Sequence, residues 1–202
     1  MPPRFIAKQL SHPTGLFGSI MARLMNRHNA KMNAFAMEQL DLKPTDRVLE
    51  IGFGGGLNLS HLISNVAFVA GVDRSSAMVK RAKKYFRDAV SSGRADFREG
   101  SVEAIPFESE SFDKVCTVNT IYFWNSLEAG FAEIYRILSP TGRAVIGFLP
   151  KDHMDHMGMP SDIFTTRGPQ EVVSALELAS FSEIRIERPN SSTSWNVLIA
   201  SR

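Results

Sequence analysis

The segment Val48-Leu49-Glu50-Ile51 runs without a break into Gly52-Phe53-Gly54-Gly55-Gly56. A short apolar strand that ends in alternating glycines constrains this chain more than any other feature. Glycine is the residue of choice where backbone must take a positive φ or approach a ligand closely. A helix from about Leu57 to Ser64 is expected next, then a second apolar strand, Val66 to Val72, which stops at Asp73. Two parallel strands need a crossover helix between them, so this stretch reads as a βαβ unit.

The remaining pattern extends that unit in both directions. Pro2, Pro3, Pro13 and Gly15 make residues 1–15 an irregular arm. Phe17, Ile20, Met21, Leu24 and Met25 recur at helical spacing, as do Met32, Phe35, Ala36 and Leu40, and Pro44 and Asp46 close the region. Ser75 is placed to cap a helix carrying Met78, Val79, Ala82, Tyr85 and Phe86. Strands are expected at 95–98, 112–118 and 143–149, a helix at 127–138, a turn at Pro140 to Gly142, a loop over 150–167 and a helix at 170–179. Two final strands, about 183–187 and 194–200, have only the polar turn Pro189 to Ser192 between them and should pair antiparallel. Continuous apolar strands alternating with helices imply a sheet covered on both faces. The expected fold is α/β: a doubly wound, seven-stranded, mainly parallel sheet with one antiparallel strand. Residues 1–45 are read as an N-terminal helical cap and 46–202 as the ligand-binding domain.

Composition narrows the function classes. The chain has 202 residues, of which 44% are hydrophobic and 22% charged, which suits one globular domain with an extension. The one cysteine, Cys116, excludes an intramolecular disulfide; lying in an apolar strand, it reads as a core thiol in a reducing, cytoplasmic setting. A net charge of +2 is too small to argue for nucleic acid. Residues 1–47 are locally basic, with Arg4, Lys8, Arg23, Arg27, Lys31, Lys43 and Arg47 against Glu38, Asp41 and Asp46. That is a solvated helix face, or an arm that meets an anionic substrate or a membrane surface. No apolar run approaches the roughly 18 residues needed to span a bilayer, and no signal peptide is expected.

In doubly wound folds the ligand lies at the carboxyl ends of the strands. Asp73, about twenty residues after the glycines, can accept both hydroxyls of a ribose, so an adenosine-like group is implied. The dinucleotide fingerprint G-x-G-x-x-G fails in both registers: its third glycine falls on Leu57 or Leu59. No Gly-Lys-Ser/Thr follows either, so the phosphate-loop pattern fails too. Glu50, two residues before the first glycine, is a poor neighbour for pyrophosphate and a good one for a cationic amino group.

Here the chain resembles the class I S-adenosylmethionine-dependent methyltransferases. Val48 to Gly56 matches their glycine-rich loop, and Gly71-Val72-Asp73-Arg74-Ser75 resembles their second motif. Gly100 to Phe107 with Ser111-Phe112-Asp113, Arg136 to Arg143, and Ala179-Ser180-Phe181 are similar to the later motifs, so the resemblance covers about residues 45–200. Within the family it is nearest to the ubiquinone/menaquinone-methyltransferase type. The resemblance implies that S-adenosylmethionine is the cofactor and S-adenosylhomocysteine the product. It implies that Glu50 and the loop Gly52-Phe53-Gly54 with Gly56 hold the methionine half and that Asp73 binds the ribose. Arg74, Ser101 and Val102 would border the adenine, and Asn119 the amino group and sulfonium. Ser101 stands where the family often has an acid, and Thr141-Gly142 where it has a glycine pair.

Methyl transfer from a sulfonium is an in-line displacement, in which the protein aligns the acceptor and excludes water. A base is needed only where the acceptor must lose a proton. The acceptor is expected to be a small molecule bound among the N-terminal helices, residues 119–125 and the 150–167 loop. Tyr122, Phe123 and Trp124 either line that pocket or pack the following helix. Tyr122, His153 and His156 are the candidate catalytic residues. His153 and His156 with Asp152 and Asp155 also suggest a metal, but lack a third histidine nearby, and no metal is expected. Met21, Met25 and Met32 suit helix packing, a substrate cap or a homodimer contact. The alternatives are a nicotinamide-dependent oxidoreductase and a non-catalytic S-adenosylmethionine-binding module.

Overall fold

The computed structural model describes residues 30–202; the expected arm, the first helix and most of the basic N-terminal cluster lie outside the described residues. Seven strands form one sheet in the order β3-β2-β1-β4-β5-β7-β6. They are β1 (Arg47–Ile51), β2 (Phe68–Asp73), β3 (Ala95–Glu99), β4 (Phe112–Val118), β5 (Leu138–Phe148), β6 (Ser182–Glu187) and β7 (Asn196–Ser201). β1 pairs in parallel with β2 and β4, β2 with β3, and β4 with β5. β7 lies antiparallel between β5 and β6, so it is the one reversed strand. Chain order reverses between β1 and β4, which places the switch-point crevice beside the glycine loop.

Strand alternation sends side chains to two cores. Leu49 and Ile51 join Phe131, Ile134 and Val172 on the face covered by α5 (Leu127–Ile137) and α7 (Pro169–Leu178). Val48 joins Ala36, Leu40, Leu62, Met78, Cys116 and Val145 on the opposite face. That face is covered by α1 (Ala30–Gln39), α2 (Leu59–Asn65) and α3 (Ser76–Tyr85). Period two then puts Glu50 on the same face as Val48, among apolar neighbours.

The helix starts follow capping chemistry. Ser75 Oγ accepts from Met78 N–H at 3.4 Å, and Ser126 Oγ accepts from Ala129 N–H at 3.1 Å. Pro169 opens α7, where an unused N–H does no harm, and Glu171 reaches back to Gly168 N–H at 3.2 Å.

Three local expectations are corrected. β5 begins at Leu138, not Arg143: Leu138 pairs with Phe112 and Arg143 with Lys114, so the turn at Pro140 to Gly142 is a bulge inside a longer strand. The 150–167 loop contains a helix, α6 (Lys151–His156), with a Lys151–Asp155 ion pair of 3.0 Å at i,i+4. A short helix, α4 (Arg87–Ser91), precedes β3 where no element was expected.

Candidate active site

The glycine loop links β1 to α2 at the carboxyl end of the sheet. Gly52, Gly54 and Gly56 all have positive φ (70°, 47° and 74°). A Cβ on Gly52 would collide with the Thr120 methyl, whereas a Cβ on Gly54 would meet nothing nearer than 4.0 Å. Gly52 is therefore demanded by the fold, and Gly54 leaves a cradle that a side chain would fill. Phe53 turns inward: it is 4% exposed, lies against Gly71 and packs tilted against Phe97 at 5.7 Å between ring centres, so only its backbone stays with the loop.

Asp73, at the end of β2, braces this loop. Its Oδ2 accepts from Gly54 N–H at 2.8 Å and its Oδ1 from Ser75 N–H at 2.9 Å. A carboxylate has about four lone-pair sites, more than these two bonds use. Gly100 N–H donates to Asp73 O at 3.2 Å, which brings the Ser101–Val102 turn to the same edge. Val102 is buried near Gly130, and Ser101 is half-buried. Arg74 is exposed and donates to Phe123 O at 3.0 Å, bridging the ends of β2 and β4.

Glu50 is 5% exposed. Its Oε1 accepts from Asn58 Nδ2 at 2.8 Å, and its Oε2 is buried with no hydrogen-bond partner. Burial pushes this carboxyl up to about 8; the Asn58 hydrogen bond pulls it down and the Asp73 charge pushes it further up. A buried acceptor without a donor is costly, and a cation with N–H groups is what relieves it.

At the end of β4, Asn119 takes a left-handed φ of 58° and donates its N–H to Gly147 O at 2.8 Å. Tyr122 O–H donates to Asn119 Oδ1 at 3.0 Å, and Leu149 N–H donates to the Tyr122 oxygen. Burial drives the Tyr122 hydroxyl far above its ordinary value, so it is a fixed phenol at neutral pH. Tyr122 and Trp124 are buried and Phe123 is half-buried; Phe123 packs tilted against Phe164 at 4.9 Å between ring centres, and Thr165 N–H donates to Tyr122 O at 3.0 Å. Tyr122 and Phe123 thus pack against the 160–165 segment, while Trp124 packs on Phe131 of α5, and residues 119–125 and 150–167 do meet at this edge. His153 is half-buried and His156 exposed on α6, and His156 Nδ1 lies against Asp152 O of its own helix. Among the described residues no group of three or more His, Cys, Asp or Glu is placed to hold a metal ion.

Comparison with known proteins gives this edge its chemistry. Residues 49–146 match the family model described as a methyltransferase domain. An uncharacterized methyltransferase of Bacillus subtilis, YdaC, is 29% identical over 173 residues, covering 85% of this chain and 91% of that protein. This chain carries an S-adenosylmethionine-dependent methyltransferase domain. The ubiquinone/menaquinone biosynthesis C-methyltransferase UbiE of Geotalea daltonii is 30% identical over 115 residues, 55% of this methyltransferase and 49% of that enzyme. The chain thus spans nearly all of the first relative and about half of the second. In fold, it matches a Haloferax volcanii methyltransferase solved with the Trm112 activator, with a TM-score of 0.72, 18% identity, and 91% and 93% of the two chains covered. The family sets aside the nicotinamide oxidoreductase. No helix among the described residues is long and apolar enough to cross a membrane.

Two residues of the site escaped the sequence reading. Asn58 contacts Glu50 and Asn33, but no motif marks either asparagine, and Asn33 is 25 residues from Asn58.

Proposed function

We propose that this methyltransferase holds S-adenosylmethionine across the ends of β1, β2 and β4 and passes its methyl group to a small apolar or flat acceptor. The observation that carries the cofactor placement is the orphaned, buried Glu50 Oε2 beside the open Gly54 cradle. A donor-rich cation is its natural complement, and the methionine half of the cofactor ends in one. Asp73 and the Ser101–Val102 turn then fall where the ribose and adenine extend, with Arg74 at the rim. Asn119 has given its Oδ1 to Tyr122, so the end it turns to a ligand is its N–H₂, a donor suited to the methionine carboxylate.

When bound, the cofactor supplies a methyl on a sulfonium, which departs as a thioether under attack by the acceptor. The chain's own part is alignment and exclusion of water. Tyr122 is held by Leu149 and Asn119 and serves to fix the acceptor-side wall. His153 and His156 stand on α6 beyond that wall, where a base for a proton-bearing acceptor belongs. Residues 1–45 are proposed as a cap and 46–202 as the cofactor domain. A buried lone thiol, Cys116, suits the cytoplasm, and the apolar N-terminal helices suit a homodimer contact.

Thermal unfolding with S-adenosylmethionine, S-adenosylhomocysteine and NADH tests the reading. A ligand at a hundred times its Kd adds about 2.7 kcal/mol, or roughly 5–11 °C for a domain of this size. The two sulfur ligands are expected to raise Tm and NADH to leave it unchanged. A rise with NADH alone sinks the proposal. Turnover to S-adenosylhomocysteine with a quinol or phenol acceptor separates an active enzyme from a binding module.

A further inference from the structure

Asn58, the residue before α2, is 5% exposed, and its side-chain nitrogen has two hydrogens. One goes to Glu50 Oε1 at 2.8 Å and the other to Asn33 Oδ1 at 2.8 Å, on α1. With Glu50 ionised, the reverse orientation of the amide would set three oxygens against one another, so the two acceptors then fix which way Asn58 faces. Glu50 is a buried carboxyl on the face that carries Val48 and Cys116, and α1 packs on that same face. A chain of two hydrogen bonds therefore joins the cofactor site to the first described helix.

We propose that Asn58 is a positioning residue that orients Glu50 toward the cofactor and links the charge on Glu50 to the seating of α1. The cofactor half of this rests on the S-adenosylmethionine reading above. Ionising Glu50 turns the Asn58–Glu50 bond into a charge-assisted one, which is shorter and about twice as strong. The same Asn58 nitrogen holds Asn33, so the pull is felt at α1. An ammonium group arriving at Glu50 Oε2 favours the ionised form. Cofactor occupancy and α1 seating then strengthen each other, since coupling between sites is reciprocal. The groups facing Glu50 are Asp73 at the end of β2, the Cys116 thiol opposite it on β4, Asn58 and, one bond further, Asn33. Of these, the Asp73 charge opposes ionisation and the Asn58 donor favours it.

The test is a carboxyl-carbon NMR titration of the full chain, labelled at glutamate and free of ligand, from about pH 5 to pH 10. Wild type, Asn58→Leu, Asn58→Ser and Asn33→Ala are compared, the serine variant guarding against a misfolded leucine one. The Glu50 midpoint is expected to rise by at least about half a unit without Asn58, a threefold or larger change in proton affinity. With Asn33→Ala it should rise by less. A midpoint unmoved in both Asn58 variants overturns the proposal, because a merely structural asparagine lowers Tm and leaves the titration alone. A midpoint unmoved only in Asn33→Ala removes the link to α1. S-adenosylhomocysteine affinity over the same pH range is expected to track the Glu50 midpoint in each variant. 5′-Methylthioadenosine, which lacks the amino group, should not track it. If Glu50 titrates as expected but S-adenosylhomocysteine binds at no pH, the cofactor reading falls and the Asn58–Glu50 link stands. If the ligand binds and the midpoint ignores Asn58, the reverse holds.

Discussion

Glu50 occupies a strand position that alternation would give to a hydrophobic side chain, between Val48 and the core of the α1–α3 face. Folding raises its carboxyl from an ordinary 4.5 to about 8. Between those values the folded chain holds a proton that the unfolded chain has lost. Glu50's contribution to stability is therefore complete below pH 4.5 and is lost as pH rises through 8. The ligand-free Glu50→Gln variant cannot ionise. It is expected to melt above wild type at pH 9 and close to it at pH 5, a difference on the order of a few kcal/mol in urea or thermal unfolding. The same variant should bind S-adenosylhomocysteine at least about tenfold more weakly at pH 8, the loss of one charge-assisted bond. Wild type equal to the variant at every pH would show that Glu50 is not held protonated. Tyr122 gives a second residue-scale expectation. Tyr122→Phe strands the half-buried Leu149 N–H and should cost about 1–3 kcal/mol in stability, read by denaturant melts.

At the scale of elements, the glycine loop separates two kinds of necessity. Gly52→Ala combines a positive φ with a collision against Thr120, so it should destabilise the fold by about 2 kcal/mol or more. Gly54→Ala meets open space and should cost only about 1 kcal/mol, yet remove most cofactor affinity by filling the cradle. Calorimetric binding beside thermal melts checks the pair; equal effects on both properties in both variants would refute the distinction. This loop was legible because its signal is local: strand, alternating glycines, then Asp73. β7 was legible for a similar reason, a polar turn too short for a crossover. The start of β5 was not, because Pro140-Thr141-Gly142 carries turn chemistry whether it ends a strand or bulges within one. α6 was missed because six residues with a single buried side chain, Met154, show no helical period. The inward turn of Phe53 and the Asn33–Asn58–Glu50 chain depend on residues far apart in sequence, which spacing alone cannot bring together.

For the whole molecule, the sheet order predicts a gradient of stability. β1, β4 and β5 are central and almost entirely buried along their inner lengths, whereas β3 and β6 are edges, and β6 is mostly exposed. Amide hydrogen exchange is expected to be slowest in β1, β4 and β5 and fastest in β6. Uniform protection across the sheet would mean that it opens only as one unit. The proposed cofactor edge sits on the slow strands, so its fixed groups are expected to stay in place. Asp73 shows what that rigidity entails for heredity. The carboxylate proposed to read the ribose also fastens Gly54 and Ser75. A lineage drifting toward a different nucleotide would have to change this residue and would loosen its own loop in the same mutation. Its route to new specificity therefore runs through the acceptor side, where α6 and the aromatic wall can vary without disturbing the anchor.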